Sequence, residues 1–262
     1  MIDLTGRTDV PVPEDVVAAV GDRAARLGLV PLLIGAAARD LVIHARQQRD
    51  PVRATKDIDI AIAVRGDQEF SKLATALGHP TKGMHRFEVL GVEVDLVPFG
   101  GMEHERTIRF PDDHVLDVTG FEEAFSTSVV VRMPRGTEIR VADAPAQTAL
   151  KILAWRDRRH TNTKDAADLF SILEAISEEP FVDDVWEDID ALDATDDDII
   201  SAASYRAGRL AAVPFSPGDG GAVMDVLLDP QLRGHLARDM RSSLAEDLLA
   251  AYTAGFRRGL EI

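Results

Sequence analysis

The sequence predicts an α+β chain in two parts: residues 1–144 with a mixed, mostly antiparallel sheet flanked by helices, and residues 145–262 as a helical domain. Three observations predict it. Apolar residues alternate with period two at 57–64 and 92–99, as in strands that bury a face. Tight turns around Gly91 and around "PRG" at 134–136 join neighbouring strand patterns into hairpins. Beyond residue 144 the apolar spacing is helical to the end. With 262 residues and 45% hydrophobic content, the chain can bury the core of one large or two ordinary domains.

The elements follow in order. "PEDVVAAVGDRAARLG" at 13–28 carries an apolar stripe of Val16, Val17, Val20 and Ala24 between an acidic start and Gly28, the signals of a helix. "LVPLLIG" at 29–35 is a short buried strand ending at a glycine, and "AAARDLVIHARQQRD" at 36–50 is a helix until Pro51 breaks it. A strand at 57–64 precedes a helix with Phe70, Leu73, Ala74 and Leu77 on one side, closed by Gly78 and Pro80. "HRFEVL" and "VEVDLVPF" form the first hairpin, residues 101–128 are loop and short elements, and "SVVVRM" with "TEIRVAD" form the second hairpin. Asp143 as N-cap and Pro145 in the first turn open a helix through Leu150, Ile152, Leu153 and Ala154. "VPFSPGDGGAV" reads as a loop between later helices, "EEPFVDDVWEDIDALDATDDDII" as a solvated acidic face, and Trp155 and Trp186 as core.

Composition narrows the function. No apolar run approaches the roughly 18 residues that span a bilayer, and the first residues lack a signal-peptide pattern, so no membrane association and a cytoplasmic location are expected. With no cysteine, disulfides, thiolate metal sites and a cysteine nucleophile are excluded. The net charge of −16 opposes loose adhesion to nucleic acid but leaves room for a local basic groove. Two basic clusters stand out, Arg46, Arg49, Arg53 and Lys56, then Arg156, Arg158, Arg159, His160 and Lys164. The histidines are scattered, and His104 and His114 read as surface residues. There is no Gly-x-Ser-x-Gly elbow, His-Glu-x-x-His or Gly-Lys-Ser/Thr phosphate loop.

The chemistry concentrates in "RATKDIDI". Asp57 and Asp59 lie two apart at a strand start, so both carboxylates point the same way and repel unless a cation or exposure relieves them. Asp95, flanked by Val94, Leu96 and Val97, is a second charge in a strand pattern. Three carboxylates on adjacent strands suit Mg²⁺, a hard cation commonly held by one or two carboxylates together with substrate phosphates. "LLIGAAARD" brings a backbone glycine turn and a helix start to the same region, as phosphate sites require.

Together "LLIGAAARD", "TKDIDIAI" and "VEVDLVPFG" resemble the signature of the DNA polymerase β-like nucleotidyltransferase superfamily over residues 32–99. "ALKILAWRDRRHTNTKDAADLFSIL" resembles the second block of the AbiEii-type nucleotidyltransferase toxins, and the first half is also similar to tRNA CCA-adding enzymes. The resemblance implies transfer of a nucleoside monophosphate from an NTP to an acceptor hydroxyl, with tRNA as acceptor and a cognate antitoxin as partner. It implies Mg²⁺ or Mn²⁺ on Asp57, Asp59 and Asp95, with Asp95 also helping to activate the hydroxyl. It assigns Gly35, Ala36, Arg39, Lys56 and Lys151 to the nucleotide, and Lys151, Asp165 and Asp168 to the second block, Asp165 with a catalytic part. Read without the resemblance, Lys151 is a solvent-facing helix residue and Asp165 a helix cap.

Two features depart from the family pattern. Ala36 stands where Ser or Gly is usual, leaving only backbone amides for a phosphate. Twenty residues separate Ala36 from Asp57, longer than usual, and "HARQQRDPVRATK" within them is strongly basic. It would set Arg46, Arg49, Arg53 and Lys56 at the rim, to grip a triphosphate or an RNA end. Two alternatives stay open: a nucleotidyltransferase for small molecules such as antibiotics or for proteins, and an inactive nucleotide-binding module.

Overall fold

β-Branched and aliphatic residues at alternate positions build the central sheet, and the computed structural model shows it within residues 1–49, 57–81, 83–111 and 114–261, the ones described. The chain divides into two compact units, Met1–Asp143 and Ala144–Ile262.

The first unit runs β1 (Ile2–Asp3), α1 (Glu14–Arg26), β2 (Pro31–Ile34), α2 (Gly35–Arg39), a π-helical segment (Asp40–His44), α3 (Ala45–Gln47), β3 (Asp57–Val64) and α4 (Asp67–Leu77). It continues through β4 (Arg86–Val89), β5 (Val92–Gly100), β6 (Thr107–Arg109), β7 (Val115–Asp117), α5 (Phe121–Thr127), β8 (Val129–Arg132) and β9 (Glu138–Val141). Seven strands form one sheet in the order β1-β8-β9-β2-β3-β5-β4, and β6 pairs with β7 apart from it. The sheet is mixed but not mostly antiparallel. Its parallel pairs β1–β8, β9–β2 and β3–β5 equal in number its antiparallel pairs β8–β9, β2–β3 and β4–β5. The sheet buries Leu32, Leu33, Ile60, Ile62 and Leu96 completely.

The β4–β5 hairpin turns on Leu90 (φ 52°) and Gly91 (φ 80°), both left-handed as a two-residue hairpin loop demands. The single helix expected at 36–50 is instead α2, the π-helical segment and α3, and it ends at Gln47 because Gln48 turns left-handed at φ 55°. Glu14, buried at the start of α1, accepts the Arg135 N–H at 2.8 Å and the Thr137 N–H at 3.0 Å, tying α1 to the β8–β9 turn.

The second unit is helical: α6 (Ala144–Arg158), α7 (Lys164–Ala175), α8 (Val182–Trp186), α9 (Ile189–Asp193), α10 (Ile199–Ala212), α11 (Pro217–Leu228), α12 (Pro230–Met240) and α13 (Ala245–Leu260). The loop expected at 213–223 is mostly helix. Ser216 caps α11 by accepting from the Asp219 N–H, and Pro217 fills its first turn, a start signal that outweighs three glycines. α10 and α13 meet backbone to backbone: a Cβ on Gly255 would lie 1.9 Å from the Tyr205 carbonyl oxygen, and one on Gly208 2.3 Å from that of Tyr252. Trp155 is fully buried and donates its indole N–H to Asp239 at 2.9 Å. Trp186, expected in the core, is 54% exposed. The acidic tract around it is largely solvated, but Asp188 caps α9 and binds Arg206 and Arg209 of α10.

Candidate metal site

Register decides which charges meet. In the antiparallel pair β2–β3, Ile34 lies opposite Asp59. In the parallel pair β3–β5, Asp59 lies opposite Asp95, and Asp57 opposite Glu93. In the antiparallel pair β4–β5, Arg86 lies opposite Asp95. One row therefore crosses four strands from Ile34 through Asp59 and Asp95 to Arg86, and partners in register share a face of the sheet. Asp57 shares that face with Asp59, two residues on.

Each of Asp57, Asp59 and Asp95 is half-buried and offers a carboxylate oxygen within 4.8 Å of those of the other two, the one such cluster among the described residues. A Mg²⁺ ion holds oxygens at about 2.1 Å, so two ligands of one ion lie at most about 4.2 Å apart. Oxygens gathered within 4.8 Å of one another are on the scale of that separation, so the three carboxylates can face one ion. Their chemistry fits as well, because oxygen ligands of this kind are what a hard divalent cation takes.

Gly35, the residue after β2, lies against Asp59. It opens α2 with φ +68°, and a Cβ there would stand 2.2 Å from Asp59 Oδ2. Only glycine gives both the left-handed backbone and the room for that carboxylate. Ala36, next in α2, is buried. Arg39 is also buried, 2% exposed, and donates from Nε and Nη2 to Asp40 Oδ1 at 3.3 and 3.0 Å. Arg46 on α3 and Arg49 beyond it are exposed, while Arg53 and Lys56 of the expected basic rim lie outside the described residues.

Arg86 was not anticipated. Its Nε and Nη2 donate to the two oxygens of Asp95, each at 2.6 Å, and its Nη1 stands 3.2 Å from Glu93. The Asp95 hydrogen bond, with the charges of Asp95, Glu93 and Asp57, outweighs burial and holds the guanidinium pKa above its ordinary value. The sequence did contain a signal: counting outward from the Leu90–Gly91 turn pairs residue 86 with residue 95.

In the helical unit, Lys151 does not face solvent. Its Nζ donates to Asp165 at 3.0 Å and to Asp168 at 2.7 Å, with its side chain 12% exposed. Asp165 is not the cap of α7, a position held by Thr163; it lies in the first turn, is 3% exposed and also meets Arg158 at 3.0 Å. Burial pushes the Lys151 ammonium pKa down, but the two carboxylates together raise it above its ordinary value. His104 and His114 are exposed, though His114 stacks on His85 with ring centres 5.1 Å apart.

No helix among the described residues is long and apolar enough to cross a membrane. No curated protein matches the chain, and no solved structure does. A family model described as "Nucleotidyl transferase AbiEii toxin, Type IV TA system" matches residues 43–260, a span holding Asp57, Asp59, Asp95, Lys151, Asp165 and Asp168. Since that span is most of its length, the chain belongs to the AbiEii nucleotidyl transferase toxin family of type IV toxin–antitoxin systems.

Proposed function

We propose that the chain is a divalent-metal-dependent transferase that moves a nucleoside monophosphate from an NTP to a hydroxyl of tRNA. The reaction forms a bond between the acceptor oxygen and the α-phosphorus, and breaks the bond from that phosphorus to the β-phosphate bridge, so that pyrophosphate leaves. The convergence of Asp57, Asp59 and Asp95 on one sheet face beside Gly35 carries this reading. Asp57 and Asp59 would hold Mg²⁺ or Mn²⁺, and Asp95 would complete the set. When bound, the metal supplies charge neutralisation for the triphosphate and lowers the pKa of an attacking hydroxyl. Asp95 takes part in accepting the hydroxyl proton, and the backbone at Gly35 and Ala36 lies against phosphate.

In the same reading residues 1–144 are the nucleotidyltransferase domain and residues 145–262 the helical domain. Lys151 serves the nucleotide phosphates, kept charged by Asp165 and Asp168. Arg46, Arg49, Arg53 and Lys56 grip the triphosphate or the acceptor end. Membership of a toxin family supports an essential acceptor such as tRNA, a cognate antitoxin and a site of action in the cytoplasm.

The test offers labelled NTPs, one at a time, to separate pools of tRNA, protein and aminoglycoside, with and without Mg²⁺. Label is expected in tRNA, dependent on the metal and on Asp57. Label in another pool instead moves the acceptor to that class, and no metal-dependent label in any pool leaves only nucleotide binding.

A further inference from the structure

We propose that Arg86 is a built-in counter-cation of the aspartate site: it holds Asp95 by both oxygens and so keeps the site's own affinity for divalent ions low. The inference rests on the proposed metal site and deepens it.

The face that carries Asp57, Asp59 and Asp95 also carries Glu93, opposite Asp57, and Glu88, opposite Glu93 on β4. So many carboxylates on neighbouring strands repel one another in the folded protein. Arg86 enters this group from β4, the last strand of the sheet, directly opposite Asp95. A surface ion pair contributes little, but this one is two-pronged, with Arg86 25% and Asp95 14% exposed. A guanidinium is a permanent cation in proteins, so Arg86 brings a fixed positive charge to Asp95 and, 3.2 Å away, to Glu93.

The geometry leaves Asp95 able to share. A carboxylate offers about four lone-pair sites, and the guanidinium fork takes two. A metal ion can therefore still use Asp95, but it meets a charge already resident beside it. The site is then a weak one for the ion alone and a stronger one for an ion that arrives with the negative charge of a triphosphate. Arg86 thus acts through Asp95 as a positioning residue, and it makes metal loading depend on the nucleotide.

Calorimetric titration with Mn²⁺ in the absence of nucleotide tests this on the wild type, Arg86→Met, Arg86→Lys and Asp57→Asn. Removing the charge is expected to tighten Mn²⁺ binding about tenfold in Arg86→Met. Arg86→Lys should stay near the wild type. Thermal unfolding in EDTA should show Arg86→Met less stable than wild type, and Mn²⁺ should raise its Tm more. If Arg86→Met does not fold, Arg86→Gln carries the same test, keeping a hydrogen bond to Asp95 without the charge. Equal or weaker Mn²⁺ binding in the neutral variants, with binding still lost in Asp57→Asn, overturns the counter-cation role. Mn²⁺ binding that Asp57→Asn leaves unchanged instead overturns the metal site itself.

Discussion

Asp59 Oδ2 occupies the space that a Cβ on Gly35 would need, 2.2 Å from where that atom would stand. The glycine turn and the carboxylate are fitted to one another across the β2–β3 pair. Gly35→Ala must displace the carboxylate and hold an L side chain at φ +68°, a backbone that costs about 1–2 kcal/mol. We expect a lower Tm and a loss of nucleotide transfer of about 10–100-fold. Adding Asp59→Ala should recover part of the lost stability but no transfer. A double variant as unstable as the single one would show that the clash is not the cause.

Asp57 distinguishes a functional residue from a structural one. Asp57→Asn should lower transfer by more than about 100-fold, because in the proposed site it removes a metal ligand, whereas loss of a supporting group costs about 10–100-fold. In EDTA the same variant should unfold at or above the wild-type temperature, since one of three crowded negative charges is gone. A clear fall in Tm under those conditions would assign Asp57 to the fold instead.

Lys151 gives the helical unit a pH signature. Because its pKa is raised in the folded protein, its contribution is complete below the ordinary value of 10.5 and disappears as pH rises through the folded value. Urea unfolding of the wild type should weaken above about pH 10.5. Lys151→Met deprives Asp165 and Asp168 of their shared cation and should cost about 3–5 kcal/mol at neutral pH, with a flatter alkaline limb.

Glu14 works at the other end of the scale. Burial pushes its carboxyl pKa up, but the Thr137 and Arg135 N–H groups outweigh burial and hold it below the ordinary 4.5. Its contribution is present above that value and is lost as pH falls through the lower, folded one. Acid titration of Glu14→Gln should therefore show a shallower loss of stability below about pH 4.5 than the wild type.

The contact between α10 and α13 depends on glycine. Gly255→Ala puts a methyl 1.9 Å from the Tyr205 carbonyl oxygen and should cost about 1–3 kcal/mol in thermal unfolding. Gly221→Ala, on α11 with nothing within 4 Å of its Cβ, should instead stabilise by about 0.5–1 kcal/mol. Equal effects at the two positions would remove packing as the explanation.

Local chemistry made much of this protein legible from its sequence alone. Period-two alternation located β3 at 57–64, Gly91 located the β4–β5 turn, and strand spacing set Asp57 and Asp59 on one face. Each follows from backbone preferences within a few residues. The same local reading failed where two signals competed. Glycines at 218, 220 and 221 suggested a loop, but Ser216 and Pro217 start a helix, and Trp186 has helical apolar spacing yet faces solvent.

Tertiary structure alone decided the partners. Asp95 meets Asp59 because β3 and β5 pair in parallel with β4 hairpinned at the edge, and no local rule sets the register of strands that are not neighbours in the chain. Lys151 finds Asp165 and Asp168 on the next helix, 14 and 17 residues away, which turns an apparently exposed lysine into a shielded one. The sequence by itself determined which charged residues the chain carries and which face of each strand holds them. Only folding set their distances, and the electrostatic character of each group depends on distance and burial.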